Sequence, residues 1–200
     1  MVNRTCVIII IVNIILLGGG AIFIAWYSDH MEFPSFSVEQ GAINAYNFTA
    51  KNHLDATFIF VVRSHNRDPK YDIEYKQVVV SVYHPNGYSL TYENESPYIE
   101  HHGNGSFFTA HAVAHDVLVS DADVAADLRN GTVSGHLDVE VRVRAKVRYE
   151  VKRWKHKNYL LKAICSPVVL NFTTWKTFNK TYCNVDSFDK PANKIDSFQT

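Results

Sequence analysis

From Leu137 to Val151 the chain alternates without a break. Leu137, Val139, Val141, Val143, Ala145, Val147, Tyr149 and Val151 are apolar, while His136, Asp138, Glu140, Arg142, Arg144, Lys146, Arg148, Glu150 and Lys152 are polar or charged. Side chains of an extended backbone point to opposite faces in turn, so a strict period of two puts one set on a core and the other in water. A strand that is half wet belongs to an antiparallel sheet with a solvated side, not to a parallel sheet covered by helices. The 11 Tyr and 12 Phe, with Val and Ile in alternating runs, suit the same half-buried pleated surfaces. A length of 200 residues leaves room for one ordinary domain of this kind.

Shorter segments carry the same signature. Ser37 to Tyr46 reads as a first strand. Ala56 to Arg63 is a continuous β-branched and aromatic run, a core strand that ends in the turn Ser64-His65-Asn66-Arg67-Asp68-Pro69. Tyr71 to Tyr83 is a further strand. The dipeptide Asn86-Gly87 predicts a two-residue hairpin into Tyr88 to Tyr92, because both central positions of that turn need positive φ. Phe107 to Val119 and, last, Tyr159 to Phe172 complete the strands. One short soluble helix is expected, with Ser120 as cap, Asp121 and Asp123 near its positive end, Val124 and Leu128 toward the core and Gly131 closing it. Strands at this spacing with one small helix predict a two-layer β-sandwich.

The N-terminus sets the expected compartment. No charge lies between Arg4 and Asp29, and Cys6 to Tyr27 is apolar apart from Asn13. Roughly 20 such residues cross a ~30 Å hydrocarbon layer as a helix. Trp26 and Tyr27 fall where an interfacial aromatic belt would, and Arg4 before the span with Asp29 and Glu32 after it places the body outside the cytosol. A cleaved signal peptide is the competing reading, although its apolar core would be shorter. Both export the body.

Sequons agree with export. Asn-x-Ser/Thr occurs at Asn3, on the cytosolic side, and at Asn47, Asn94, Asn104, Asn130, Asn171 and Asn179 in the body. Of the three cysteines, Cys6 sits at the mouth of the span as an inert thiol or a lipidation site. Cys165 and Cys183 share the exported body, where an oxidising compartment makes a disulfide the default pairing. The loop such a staple closes corresponds to about 3 kcal/mol of chain entropy.

Charge and motifs narrow the chemistry. Lysine plus arginine equals aspartate plus glutamate, 20 of each, which gives no reason to expect a nucleic-acid partner. There is no His-Glu-x-x-His, Gly-x-Ser-x-Gly, phosphate loop or dinucleotide fingerprint, so neither an enzyme nor a cofactor is expected. His111 and His115 on one strand face would lie about 13 Å apart, too far to share a zinc ion, and the acidic residues Asp121, Asp123 and Asp127 lack the spacing of a calcium loop. One local feature remains: Arg142, Arg144, Lys146 and Arg148 line one strand face, and Lys152, Arg153, Lys155, His156 and Lys157 extend the run. This is either a solvated face balanced by acidic neighbours or a patch for lipid headgroups or an acidic extracellular polysaccharide.

Several of these segments resemble the plant late-embryogenesis-abundant hydroxyproline-rich glycoprotein family, the harpin-induced and non-race-specific-disease-resistance-like membrane proteins with a type 2 LEA domain. The likeness runs from about Phe36 to Val185. It rests on Phe58 to Asp68 followed by Tyr71-Asp72-Ile73, on Asn104-Gly105-Ser106, on Asp127 to Lys152, and on Trp154 with Tyr159 to Cys165. The turn here reads Ser64-His65-Asn66, without the proline usual in the family. The resemblance implies an immunoglobulin- or fibronectin-III-like sandwich anchored at the plasma membrane or another secretory membrane, serving defence or stress responses without catalysis. The expected layout is a cytosolic tail over 1–5, a single-pass signal-anchor helix over 6–27, a linker over 28–35, the sandwich over 36–185 and a polar tail over 186–200. The expected role is a glycosylated interaction module with a protein or cell-wall partner. The alternative is a lipid- or wall-surface-binding protein that uses the basic strand or an apolar groove.

Overall fold

The computed structural model describes residues 4–28, 31–152, 155–172 and 178–188. The chain divides into two units, Met1–Glu32 and Phe33–Thr200. The first contains a 25-residue helix, α1 (Arg4–Ser28), uncharged after Arg4. Among the described residues no helix is long and apolar enough to cross a membrane, so the spanning helix expected over 6–27 does not follow from the structure. Several α1 side chains, those of Cys6 and Ile9 among them, lie outside the described set.

The second unit is β1 (Ser35–Phe48), β2 (His53–His65), β3 (Ile73–Tyr83), β4 (Ser89–Glu95), β5 (Tyr98–Glu100), β6 (Gly105–Leu118), α2 (Ala122–Ser134), β7 (His136–Lys152), β8 (Lys155–Asn171) and β9 (Thr181–Phe188). Every pairing is antiparallel. The alternation in β7 is realised in space: Leu137, Val139, Val141, Val143, Ala145, Val147 and Tyr149 are buried, and the residues between them are half-buried or exposed.

The expected sandwich is corrected to one continuous sheet of nine strands, in the order β4-β3-β7-β8-β9-β1-β2-β6 with β5 beside β3. The cause is β9, which pairs with β8 from Leu160↔Phe188 to Cys165↔Cys183 and with β1 at Ser37↔Tyr182 and Val38↔Thr181. It joins the two halves, and its short mixed sequence, without apolar alternation, concealed it. The outer strands nearly close the sheet: Thr91 Oγ1 donates to the Val113 carbonyl at 2.7 Å and Tyr88 OH to that of Leu118 at 3.1 Å. The two halves face each other across a core in which Phe36 meets Tyr75 edge-on at 6.2 Å. Phe58, Phe60 and Val62 from one side and Val78, Val80, Val141 and Val143 from the other are at most 1% exposed. Side chains of this size stabilise by about 1.5–3 kcal/mol each when fully buried.

Two local expectations shift. The β3–β4 connection turns on Pro85-Asn86, with Gly87 N–H bonded to the His84 carbonyl at 2.8 Å and Gly87 itself at φ 92. It is a three-residue loop, because Pro85 supplies the fixed φ of a type I turn and Gly87 the left-handed residue after it. The cap of α2 is Asp121, whose carboxylate accepts from the N–H groups of Asp123 and Val124. Helix α2 runs through buried Gly131 and stops at Gly135, φ 74, whose N–H bonds the Gly131 carbonyl.

Candidate functional site

The predicted basic row lies on the outward face of β7, and its neighbours follow from register. Arg142 is opposite Ser81 and Ile164, Arg144 opposite Val79 and Lys162, Lys146 opposite Gln77 and Leu160, and Arg148 opposite Glu74 and Asn158. Arg142 pairs with Glu140 two residues back and lies over the Tyr83 ring at 3.8 Å. Arg148 pairs with Glu74 at 2.6 Å and reaches Glu150 at 4.0 Å. At least two of the four cations are therefore engaged by acidic neighbours, and Asp186 stands opposite Lys162 one strand further. Of the expected extension, Arg153 and the side chains of Lys152, Lys155 and His156 lie outside the described residues, as does Trp154 of the resemblance.

Five of the ten histidines are paired with aspartates, two of them with the same one. Asp72 accepts from His101 at 2.9 Å and from the ring and N–H of His102 at 2.8 and 2.9 Å. These bonds, that from His101 foremost, hold the Asp72 carboxyl down at about 2. His115 meets Asp55 at 3.0 Å, His53 meets Asp116 at 2.7 Å, and His84 meets Asp127 at 3.4 Å. Bonding from the Asp116 N–H foremost, with help from His115, lowers the Asp55 carboxyl against opposing desolvation. Among the described residues no group of three or more His, Cys, Asp or Glu is placed to hold a metal ion.

Cys165 and Cys183 are bonded to each other, directly opposite on β8 and β9 with Cα atoms 4.1 Å apart. That spacing suits a closely spaced antiparallel pair. The bond ties the bridging strand to the wet β7–β8 half.

Of the sequon asparagines, Asn47, Asn94, Asn104, Asn130 and Asn179 are exposed and Asn171 is half-buried. They are spread over β1, β4, the β5–β6 loop, α2, the end of β8 and the approach to β9.

Sequence reasoning missed a buried carboxyl. Glu100, 1% exposed, accepts from Ser64 Oγ at 3.0 Å, Tyr75 OH at 3.1 Å and Ser106 N–H at 2.7 Å. Tyr98 OH donates in turn to Ser64 Oγ at 3.1 Å. Burial raises the Glu100 carboxyl above its usual range against these bonds. The neighbouring turn is organised the same way: buried Asn66 donates to the Tyr71 carbonyl and accepts from Asp68 N–H, and buried Asp68 accepts from the N–H groups of Lys70 and Tyr71. Asn66 therefore closes the turn from the side by hydrogen bonding. An unbroken polar run Ser64 to Asp68 was the available signal, but nothing local says that it is buried. The network joins β2, β3, β5 and β6 and forms a structural joint.

No protein-family model matches the chain. It is similar to an uncharacterized protein of Arabidopsis thaliana, with 28% identity over 170 residues, 84% of this chain and 76% of that one. It is also similar to NDR1/HIN1-like protein 3 of Arabidopsis thaliana, with 23% identity over 182 residues, 88% of this chain and 78% of that one. A distant relative thus carries the NDR1/HIN1-like name, in line with the resemblance drawn from the residues. A crystal structure of a protein from Archaeoglobus fulgidus aligns with 68% of this chain and 98% of its own at TM-score 0.32 and 12% identity, too weak a likeness to bear on the fold.

Proposed function

We propose that the chain is a membrane-anchored glycoprotein of the late-embryogenesis-abundant, NDR1/HIN1-like kind, with a type 2 LEA body, that presents its β-domain outside the cytosol as a non-catalytic interaction module in plant defence or stress responses. The observation that carries this reading is the surface position of the body's sequons: five of the six acceptor asparagines are exposed and Asn171 is half-buried. Attached glycans would need no unfolding. The anchor part rests on the sequence, where Thr5 to Ser28 carry no charge; it is not read from α1, since among the described residues no helix is long and apolar enough to cross a membrane. The name of the relative NDR1/HIN1-like protein 3 supports the plant-response part.

The test is expression of the full chain in plant cells, followed by glycosidase treatment and protease digestion of sealed microsomes. A mobility drop on deglycosylation together with a protected body is expected; an unglycosylated body open to protease overturns the proposal. A charge-driven lipid reading has less support, since Arg142 and Arg148 are paired within the protein. Salt-sensitive flotation with anionic vesicles, abolished by Arg144→Gln with Lys146→Gln, would restore it.

A further inference from the structure

The half of the sheet opposite the basic row carries on its outer face a cluster that the proposed role does not yet use. Register places Tyr182 on β9 against Ser37 on β1, Ser37 against Arg63 on β2, and Arg63 against Phe107 on β6. The two rings bracket this row of four strands, so they stand about 14 Å apart at ~4.8 Å per strand. Both are open to solvent, Tyr182 at 74% and Phe107 at 63%. Each carries a cation: Arg63 lies over Phe107 at 5.5 Å and Lys180 over Tyr182 at 4.9 Å. Between them Glu39 pairs with Lys180 at 2.7 Å and accepts from Ser37 Oγ at 2.8 Å. Among the described residues Arg63 bonds no carboxylate, although Glu39 feels its charge through space, and its Nε is buried without a hydrogen bond. Gly105 leaves the room for it, since a Cβ there would come within 3.2 Å of that nitrogen.

We infer that this face is a binding platform for an acidic polysaccharide, a chain of sugar rings bearing carboxylates. The inference rests on the exported body proposed above and names its partner class. A protein interface needs a continuous apolar centre with a polar rim. Here the order is reversed, with rings at the two ends and charge in the middle. A pyranose chain fits that order, because its C–H faces stack on aromatic rings while its carboxylates meet a guanidinium fork. Glu39 pairs with Lys180, and Arg63, which bonds no carboxylate among the described residues, is placed to receive a uronate. The span between the rings suits a short oligosaccharide lying across the strands.

The test uses the full-length glycoprotein in detergent micelles against polygalacturonate, its methyl ester, a neutral β-glucan and polyglutamate. Wild type and Asn179→Gln are compared, so that a glycan beside Lys180 cannot hide the face. Polygalacturonate is expected to bind best, with affinity falling about tenfold on Arg63→Gln and about three- to tenfold on Tyr182→Ala or Phe107→Ala. Arg63→Lys should recover part of the loss, and circular dichroism should report an unchanged fold in each variant. Equal binding of polyglutamate would mean attraction to any polyanion, and equal binding of the neutral glucan would mean that charge plays no part; each overturns the inference. So does the absence of binding in both wild type and Asn179→Gln, or a loss that follows Arg144→Gln and Lys146→Gln instead. These measurements are made on purified protein, so their failure is distinct from failure of the topology assay.

Discussion

Replacing Glu100 probes whether the buried joint holds the end of the sheet together. Glu100→Ala removes the acceptor of two hydroxyls and one backbone N–H. The hydroxyls of Ser64, Tyr75 and Tyr98 can turn toward one another. The Ser106 N–H cannot, and it is left unsatisfied beside a new void. A buried donor without a partner costs about 1–3 kcal/mol, and relief from burying a carboxyl offsets part of the sum. With the void added and that relief subtracted, the net expectation is about 2 kcal/mol of lost stability, above the ~1 kcal/mol of an average substitution. Glu100→Gln keeps one oxygen for Ser64 and Ser106 and should cost about 1 kcal/mol. Denaturant unfolding of the full-length chain in micelles, at constant m, measures both. The pH series carries a sign of its own. Because the folded carboxyl is raised by burial, its contribution is complete below its unfolded value, near 4.5, and declines as pH rises through the folded value. The advantage of wild type over Glu100→Gln should therefore shrink with rising pH. A Glu100→Ala variant as stable as Glu100→Gln, or a wild-type advantage that grows with pH, would refute the reasoning.

Three further sets of substitutions test other parts of the fold. Asp72→Asn should remove a contribution that is present above the ordinary carboxylate range and lost as pH falls toward about 2, so the variant's thermal midpoint should change less than wild type's on acidification. Cys165→Ser with Cys183→Ser should cost about 3 kcal/mol, and reduction of wild type should lower the midpoint to the same degree. Gly41→Ala should cost about 1–3 kcal/mol by overpacking, since its Cβ would come within 2.7 Å of the Phe178 ring and 2.8 Å of Leu170; truncating Leu170 to Val in the same chain should recover part of that loss.

The strands whose residues alternate on their own account were legible. Strand β7 is the clearest, because its period of two states both that it is extended and which face is wet, and no distant partner is needed to say so. Helix α2 was legible from the same kind of local signal and missed its ends by a few residues, since Asp121 and Ser120 are both competent caps and Gly131 and Gly135 both competent stops. Only packing against the core chose between them. The β3–β4 hairpin was placed correctly, yet its loop was misread because the chemistry of Pro85 outweighed that of the Asn-Gly pair.

What the sequence could not supply was the set of relations between segments far apart in the chain. Thr181 to Phe188 is short and mixed in character, without apolar alternation, and it becomes a strand only because β8 and β1 offer it two edges to pair with. That pairing turned an expected pair of layers into one nearly closed sheet. Burial of Glu100 and the row from Tyr182 to Phe107 have the same origin. Local periodicity is written in neighbouring residues, whereas a buried carboxyl or a pair of rings held three strands apart exists only once register has been set by the whole sheet.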